Sequence, residues 1–499
     1  MKKNKNTFFC CALAEPWIDV ALELNKNYNL KPVYWIGWKD EKPIISQKMS
    51  GTIYHDMSLA WKGIFPSLNF DINNIQIDGL DFKTLAEKEL MALKMMDRLD
   101  YNRNSFNFSE RQNYFRDQLN KWLNVLINLD VELIVAPSIP HRVFDYIIYV
   151  ASKILKIDFF TVKMTPWAGH ILPMNSITSY FPLKEEETFV EIHKEVSLYI
   201  EKIQKKYDEA VPYYMLNQKK DESKSKLIRI IETLTKNKGK NIFKLFQEKP
   251  IYWKKKGVSL QESTFYGIEV YLEKLRGISY KNRLKKHYQS ICSKVDLNLP
   301  YILVALHYQP EETSCPSGDI YVDQLLMIKS LLKNTSQETL IYVKEHKSQF
   351  NPSIEGQTGR VKSFYEELQQ FSRVRLVFLG KNIFDLIDNS LAIATLTGTI
   401  GVEALFRKKT PIVFGTAWYE SLPSVIRIKD KNDLKKINSL SKLTELINIE
   451  QCTIALNRIY LNCIKANHYK GVKERSSVTM EDSIINLVKF ISKQYRTNV

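Results

Sequence analysis

The stretch from Ser390 to Tyr419, SLAIATLTGTIGVEALFRKKTPIVFGTAWY, constrains this chain more than any other. It reads as a buried strand (Leu391 to Thr395), a turn of small and hydroxyl residues (Thr397, Gly398, Thr399, Gly401), a short helix carrying Glu403, and a second buried strand (Pro411 to Phe414). A strand that ends in such a turn and opens a helix brings backbone N–H groups and the positive helix end to one point, a recurrent way of holding phosphate. Glycine supplying a positive φ and threonine capping the helix would give the same pattern in an ordinary βαβ turn. The neighbouring segments decide between the two.

A second α/β unit surrounds this stretch. Strands at Tyr301 to Tyr308, Thr339 to Lys344, Val374 to Leu379, Leu391 to Thr395 and Pro411 to Phe414 alternate with helices near 322–334, 363–371, 382–388 and 400–407. The first 180 residues repeat the theme with strands at Thr7 to Ala12, Pro32 to Gly37, Glu132 to Ala136 and Asp158 to Lys163, and with a long amphipathic region from 82 to 129. Alternating strands and helices imply parallel sheets, which bind ligands at the carboxyl ends of their strands. Between the two units, residues 181–300 are Lys/Glu-rich and helical, with basic clusters at 202–206, 219–226, 236–240, 254–256 and 283–287. The expected division is therefore 1–180, an insertion at 181–300, a second α/β domain at 301–430, and helices over 431–499 that pack back on the domains.

Composition narrows the partners. Lysine and arginine number 72 against 55 aspartate and glutamate, a formal charge of +17, which favours anionic ligands, an acidic polymer or an anionic membrane face. The basic middle reads either as a solvated helical face or as a peripheral membrane surface or anionic-polymer groove; it lacks a helix-turn-helix, zinc-finger or RNA-binding signature, so no nucleic acid is expected. Six scattered cysteines without a CxxC pair suggest neither a disulfide framework nor a zinc site. The apolar run after the basic start breaks at Glu15 and Pro16, so it is read as a first strand, and no run is long enough to span a membrane. The expected location is cytoplasmic, with peripheral contact at the inner membrane face.

Three segments of the second unit fall at the carboxyl ends of adjacent strands. His307, Gln309 and Glu311 follow the first, Lys344 and His346 the second, and Thr397, Gly398, Thr399 and Glu403 the fourth. A lysine and a histidine suit phosphate charge, hydroxyls and backbone N–H groups suit phosphate oxygens, and a carboxylate can take two hydrogen bonds from ribose. His346 could instead be a satisfied histidine, and Gln309 and Glu311 could serve the turn at Pro310.

HYQPEETSCPSG (His307 to Gly318), YVKEH (Tyr342 to His346), TLTGTIGVEAL (Thr395 to Leu405) and PIVFGTAWY (Pro411 to Tyr419) resemble the capsule polysaccharide biosynthesis family of bacterial glycosyltransferases, which includes Kdo transferases. The resemblance covers roughly residues 301–428, is weaker over the first 180 residues and is not seen over the basic middle. It implies a GT-B fold of two Rossmann-like domains across a cleft, with the nucleotide held mainly by the second. It further implies a nucleotide-sugar donor, most simply a CMP-activated ulosonic acid such as Kdo or a sialic-acid-like sugar, and a glycan or lipid-linked acceptor. His346 matches the histidine of a His-Pro pair that contacts the CMP phosphate in that family, although Lys347 stands where the proline would be. Thr397 and Thr399 match phosphate-binding hydroxyls, and Glu403 matches the carboxylate after the glycine turn.

Glycosyl transfer needs a base for the acceptor hydroxyl and positive groups for the leaving phosphate. For an inverting reaction the base belongs on the first domain, where Glu15 and His141 end strands; Asp145, one turn along the helix, would orient His141, and Asp56 and His170 stand in reserve. Glu15 could equally be a first-turn helix carboxylate and His141 a capping residue. No DxD-type motif is found, so neither a metal nor another cofactor is expected. The alternatives are a UDP- or GDP-sugar transferase, a sugar-nucleotide 2-epimerase, and a non-catalytic scaffold of polysaccharide export.

Overall fold

The computed structural model describes residues 4–13, 15–75, 77–98, 107–184, 191–205, 248–250, 264–352, 354, 356–469 and 476–495. The chain forms two compact units, one of residues 1–96, 107–195 and 456–499, the other of residues 97–106 and 196–455. Each is built on its own largely parallel sheet.

The first sheet contains β1 (Lys5–Cys10), β2 (Leu30–Gly37), β3 (Ile53–Asp56), β4 (Val131–Ala136), β5 (Asp158–Met164), β6 (His170–Ser176) and β7 (Ser179–Tyr180). Its order is β3-β2-β1-β4-β5-β6, with β16 (Ile464–Lys465) added antiparallel beyond β6 and β7 paired to β6. The strands from β3 to β5 are parallel, and β6 runs against β5. Helices α1 (Trp17–Tyr28), α2 (Phe108–Asn128) and α3 (Phe144–Ile154) make the crossovers. On one face Phe9, Trp17, Leu24 and Trp35 pack with Leu487, Val488 and Ile491 of the last helix. Side chains alternate across a strand, so Phe8 and Tyr34 point to the other face, where they stack at 4.7 Å against the edge of Trp122.

A short antiparallel pair, β8 (Glu248–Pro250) and β9 (Thr264–Tyr266), comes next in the chain. The second sheet is wholly parallel and runs β12 (Val374–Leu376), β11 (Leu340–Lys344), β10 (Tyr301–Ala305), β13 (Ala392–Thr395), β14 (Thr410–Val413), β15 (Ile426–Arg427). Around it lie α4 (Gly267–Ser290), α5 (Gln324–Lys333), α6 (Lys362–Gln369), α7 (Ile383–Asp388) and α8 (Ile400–Leu405). Counted from its own first strand, each sheet has the doubly wound order 3-2-1-4-5-6. Two Rossmann-like units are therefore present.

The division differs from the sequence expectation. Helix α4 belongs to the second unit, because Leu284 and Tyr288 enter the core beside Ile302, Val304 and Val343. Its basic residues Arg283, Lys285 and Lys286 flank those two positions, which made an amphipathic core helix look like part of an insertion. The basic clusters at 219–226, 236–240 and 254–256 lie outside the described residues. The tail also splits: α9 (Ile449–Leu461) spans the boundary at 455/456, while β16 and α10 (Met480–Tyr495) complete the first sheet and cover α1. Among the described residues, no helix is long and apolar enough to cross a membrane.

Candidate functional site

In a sheet of this order the connections after the first and fourth strands leave toward opposite faces, opening a crevice at the carboxyl ends. In the second unit those strands are β10 and β13. The chain leaving β10 carries His307, and the chain leaving β13 carries Thr397; the N–H and the hydroxyl of Thr397 both lie 3.3 Å from His307 Nε2. Thr397 Oγ1 also donates to the Thr313 carbonyl at 2.8 Å, which ties the 311–318 loop to the turn. A Cβ on Gly398 would sit 3.4 Å from His307 Cε1. The two segments singled out from sequence thus meet at the switch point.

The turn then enters α8. Gly401 N–H donates to Gly398 O and Val402 N–H to Thr399 O, leaving the N–H groups of Gly398, Thr399 and Ile400 without a partner among the described residues. Gly401 is required by close packing, since a Cβ there would collide with the hydroxyl and ring of Tyr419. That hydroxyl donates to Gly398 O and pins the turn. Thr399 Oγ1 lies 3.5 Å from Glu403 Oε1. Burial lifts the Glu403 carboxyl to about 7, against the smaller opposing effects of Thr399 and Arg407.

On β11 the next candidates divide. Lys344 is buried and donates to the carbonyls of Phe378 and Leu379 at 3.1 and 3.0 Å, so two of its three donors are committed to the loop after β12. Burial, helped by Lys347, lowers its ammonium to about 8. His346 is half-buried and caps the 3-10 turn Lys347–Phe350: its Nδ1 accepts from Ser348 N–H at 3.2 Å, which places the proton of the neutral ring on Nε2. Burial lowers its pKa. Gln309 is buried with both ends of its amide occupied, donating to Val322 O at 2.6 Å and accepting from Arg360 at 2.7 Å. Glu311 is exposed and accepts from Thr313 at 2.9 Å. Arg98, which groups with this unit, donates to Cys315 O at 2.7 Å.

Sequence reasoning missed the pair that links these loops. Glu345 Oε2 accepts from Arg360 Nε at 2.8 Å and from the Tyr365 hydroxyl at 2.7 Å, while Oε1 accepts from His346 N–H at 2.8 Å. Arg360 Nη2 reaches the His307 carbonyl at 3.2 Å. Between a lysine and a histidine, Glu345 looks like part of a solvated loop, and no periodicity connects it to a partner fifteen positions on.

In the first unit the candidates do not assemble as expected. Asp145 is buried, but both its oxygens go to Arg142, one to its N–H at 2.6 Å and one to its guanidinium at 3.2 Å. His141 instead sets its Nδ1 2.6 Å from Ile139 O, so the expected Asp145–His141 pairing is replaced by a local turn that serves the arginine. Glu15 is exposed just before α1. Asp56 caps a short helix through Ser58 N–H at 2.7 Å. His170 starts β6, stacks on Tyr460 at 4.7 Å and is held below its ordinary pKa by burial. Among the described residues no group of three or more His, Cys, Asp or Glu could hold a metal ion.

Residues 254–424 match the family described as "Capsule polysaccharide biosynthesis protein". The switch point of the second sheet lies inside this segment, so the part of the chain that carries the site is the part that is similar to this family. The match begins well before residue 301 and takes in residues 254–300 of the basic middle, where no likeness was expected. No curated protein matches the chain. Solved structures that are similar include the KpsC β-Kdo 2,7 transferase of Thermosulfurimonas dismutans, at 16% identity over 46% of this chain and 67% of that one, TM-score 0.23. The β-Kdo 2,4 transferase of the same organism shows 12% identity over 72% and 87%, TM-score 0.28. A UDP-GlcNAc 2-epimerase from Neisseria meningitidis shows 13% over 99% of each, TM-score 0.20. These TM-scores are too low for the likeness to bear on fold or chemistry.

Proposed function

We propose that the protein is a glycosyltransferase of capsule or related surface-polysaccharide synthesis that binds a nucleotide sugar at the second unit's switch point. The observation that carries this reading is the meeting of His307 and Thr397 at the ends of β10 and β13, inside the family segment. Around that buried floor stand groups open to a ligand: the N–H groups of Gly398 and Thr399, the Thr399 hydroxyl, the Nε2 side of His346, and Glu403. Donors suit phosphate oxygens, and the Glu403 carboxyl suits a vicinal diol.

The donor is a CMP-activated ulosonic acid. One phosphate needs few cations, and Lys344 has most of its donors committed elsewhere. As the sugar–phosphate bond breaks, His346 Nε2–H and the turn amides stabilise the charge that grows on the leaving phosphate. For the base that takes the proton of the acceptor hydroxyl, the candidates are Glu15 and His141. The acceptor is a glycan or lipid-linked glycan, reached with peripheral contact at an anionic membrane.

Thermal stabilisation of the purified protein by CMP, UDP, GDP and their sugar conjugates tests this, because a ligand of the folded state alone raises apparent stability. A shift with CMP that is lost in His346→Ala is expected. A shift with UDP or GDP alone would overturn the donor, and no shift with any nucleotide would overturn the activity.

A further inference from the structure

The Glu345–Arg360 pair sits where neither partner meets solvent, with side chains 0% and 3% exposed. Buried ion pairs rarely add stability over an apolar pair of similar volume, so keeping one calls for another role. Its connections show what that role is. Arg360 spreads its three nitrogens over three partners: Nε to Glu345, Nη1 to the Gln309 side chain, and Nη2 to the His307 carbonyl. Glu345 turns its second oxygen to His346 N–H. One ion pair therefore joins the backbone of both histidines of the site, which leave different strands. Supporting hydroxyls fix the carboxylate end: Tyr365 donates to Glu345 Oε2, and Tyr288, itself donating to Val377 O at 2.6 Å, accepts from Glu345 N–H at 3.2 Å. Gln349 stitches the same two loops, accepting from Gln309 N–H at 2.9 Å and donating to Gln309 O at 3.0 Å.

We propose that Glu345 and Arg360 are positioning residues that lock His307 and His346 into one geometry, so that ligand binding at the switch point depends on them more than folding does. This rests on the nucleotide-sugar reading of the site. A guanidinium suits the task because its planar fork fixes direction at three acceptors at once, which packing of apolar side chains cannot do for a half-exposed histidine.

The test compares wild type with Glu345→Gln and with the double variant Glu345→Leu/Arg360→Met, which removes both charges and keeps volume. Two readouts are taken: the Kd for CMP, UDP and GDP, and the imidazole 15N spectrum of the ligand-free protein, which reports the His346 tautomer. The double variant is expected to unfold at a temperature close to wild type, to bind its nucleotide at least ten-fold more weakly, and to show His346 as a mixture of tautomers. Unchanged affinity together with an unchanged His346 spectrum in the folded double variant overturns the proposal. Should that variant fail to fold, Glu345→Gln decides, with weaker binding expected and wild-type binding overturning. If wild type binds none of the three nucleotides, the functional reading fails; the spectrum still decides the positioning role, since a single unaltered tautomer counts against it.

Discussion

The two sheets share one strand order and therefore one switch point, yet the side chains placed there differ in kind. In the second unit the ends of β10 and β13 bring together an imidazole, a threonine and a network of amides and charges. In the first unit the chain leaving β1 begins with two thiols 3.9 Å apart, Cys10 and Cys11, and the chain leaving β4 supplies the Arg142–Asp145 pair. Topology fixes where a ligand can approach; it does not say which ligand. The interiors differ as well. The first sheet buries His55 against Trp122 with both ring nitrogens bonded, to the Tyr34 hydroxyl at 2.8 Å and to Ile64 O at 2.9 Å. The second stacks Tyr301 on Tyr342 at 4.1 Å and sends both hydroxyls to backbone carbonyls.

The largest effect that would break this contrast is expected from Arg360→Met alone, which strands the Glu345 carboxylate inside the second unit. Unfolding by urea should show a loss of about 3–5 kcal/mol confined to that unit; a loss below about 1 kcal/mol would make the pair incidental. Acid comes next and should strike the first unit. Burial lowers His55 and His468 to about 4, and lowers His170 as well. The unfolded chain takes up protons first as pH falls below its ordinary imidazole value, so stability is lost between about 6.5 and 4, at about 3 kcal/mol for each of His55 and His468. In the second unit the fall from His346 is opposed by Glu403, whose raised pKa gives a contribution present at low pH and lost as pH rises through about 7. Calorimetry at successive pH values should therefore show the first unit melting earlier in acid; equal slopes would erase the distinction.

Smaller changes sharpen the comparison. Gly401→Ala drives a methyl group into Tyr419 and should cost about 1–3 kcal/mol in the second unit, read from the thermal midpoint. Thr399→Ala should weaken nucleotide binding about ten-fold, or about 1.4 kcal/mol, by titration calorimetry, with His141→Ala leaving that affinity alone and lowering turnover. Glu15→Gln should change stability by less than about 0.5 kcal/mol, because the side chain is exposed. Any loss of turnover it causes then reports on chemistry.

Much of the second unit was legible because buried parallel strands are short apolar runs and their ends fall at fixed points. The segments around His307 and Thr397 could be named for that reason. Strand β6 was not, since HILPMNS carries a proline and reads as loop after Met164. Strand β16, two residues long, gives no periodic signal at all. Within the site, sequence could point to Lys344 and Gln309 but not to where their polar atoms go, because hydrogen-bond partners are set by contacts between loops. The same limit hid Arg360 and assigned Asp145 to the wrong neighbour.

The completion of the first sheet by residues from the far end of the chain also sets an order of events on the ribosome. Everything the second unit needs has been translated by residue 455, whereas the first unit still lacks β16 and α10. Until they emerge, β6 keeps an open edge and the apolar surface of α1, Trp17, Val20, Ala21 and Leu24, lacks Leu487, Val488 and Ile491. The part synthesised first is thus finished last, and the nascent protein spends that interval with this apolar surface uncovered, the kind of surface on which holdase chaperones act.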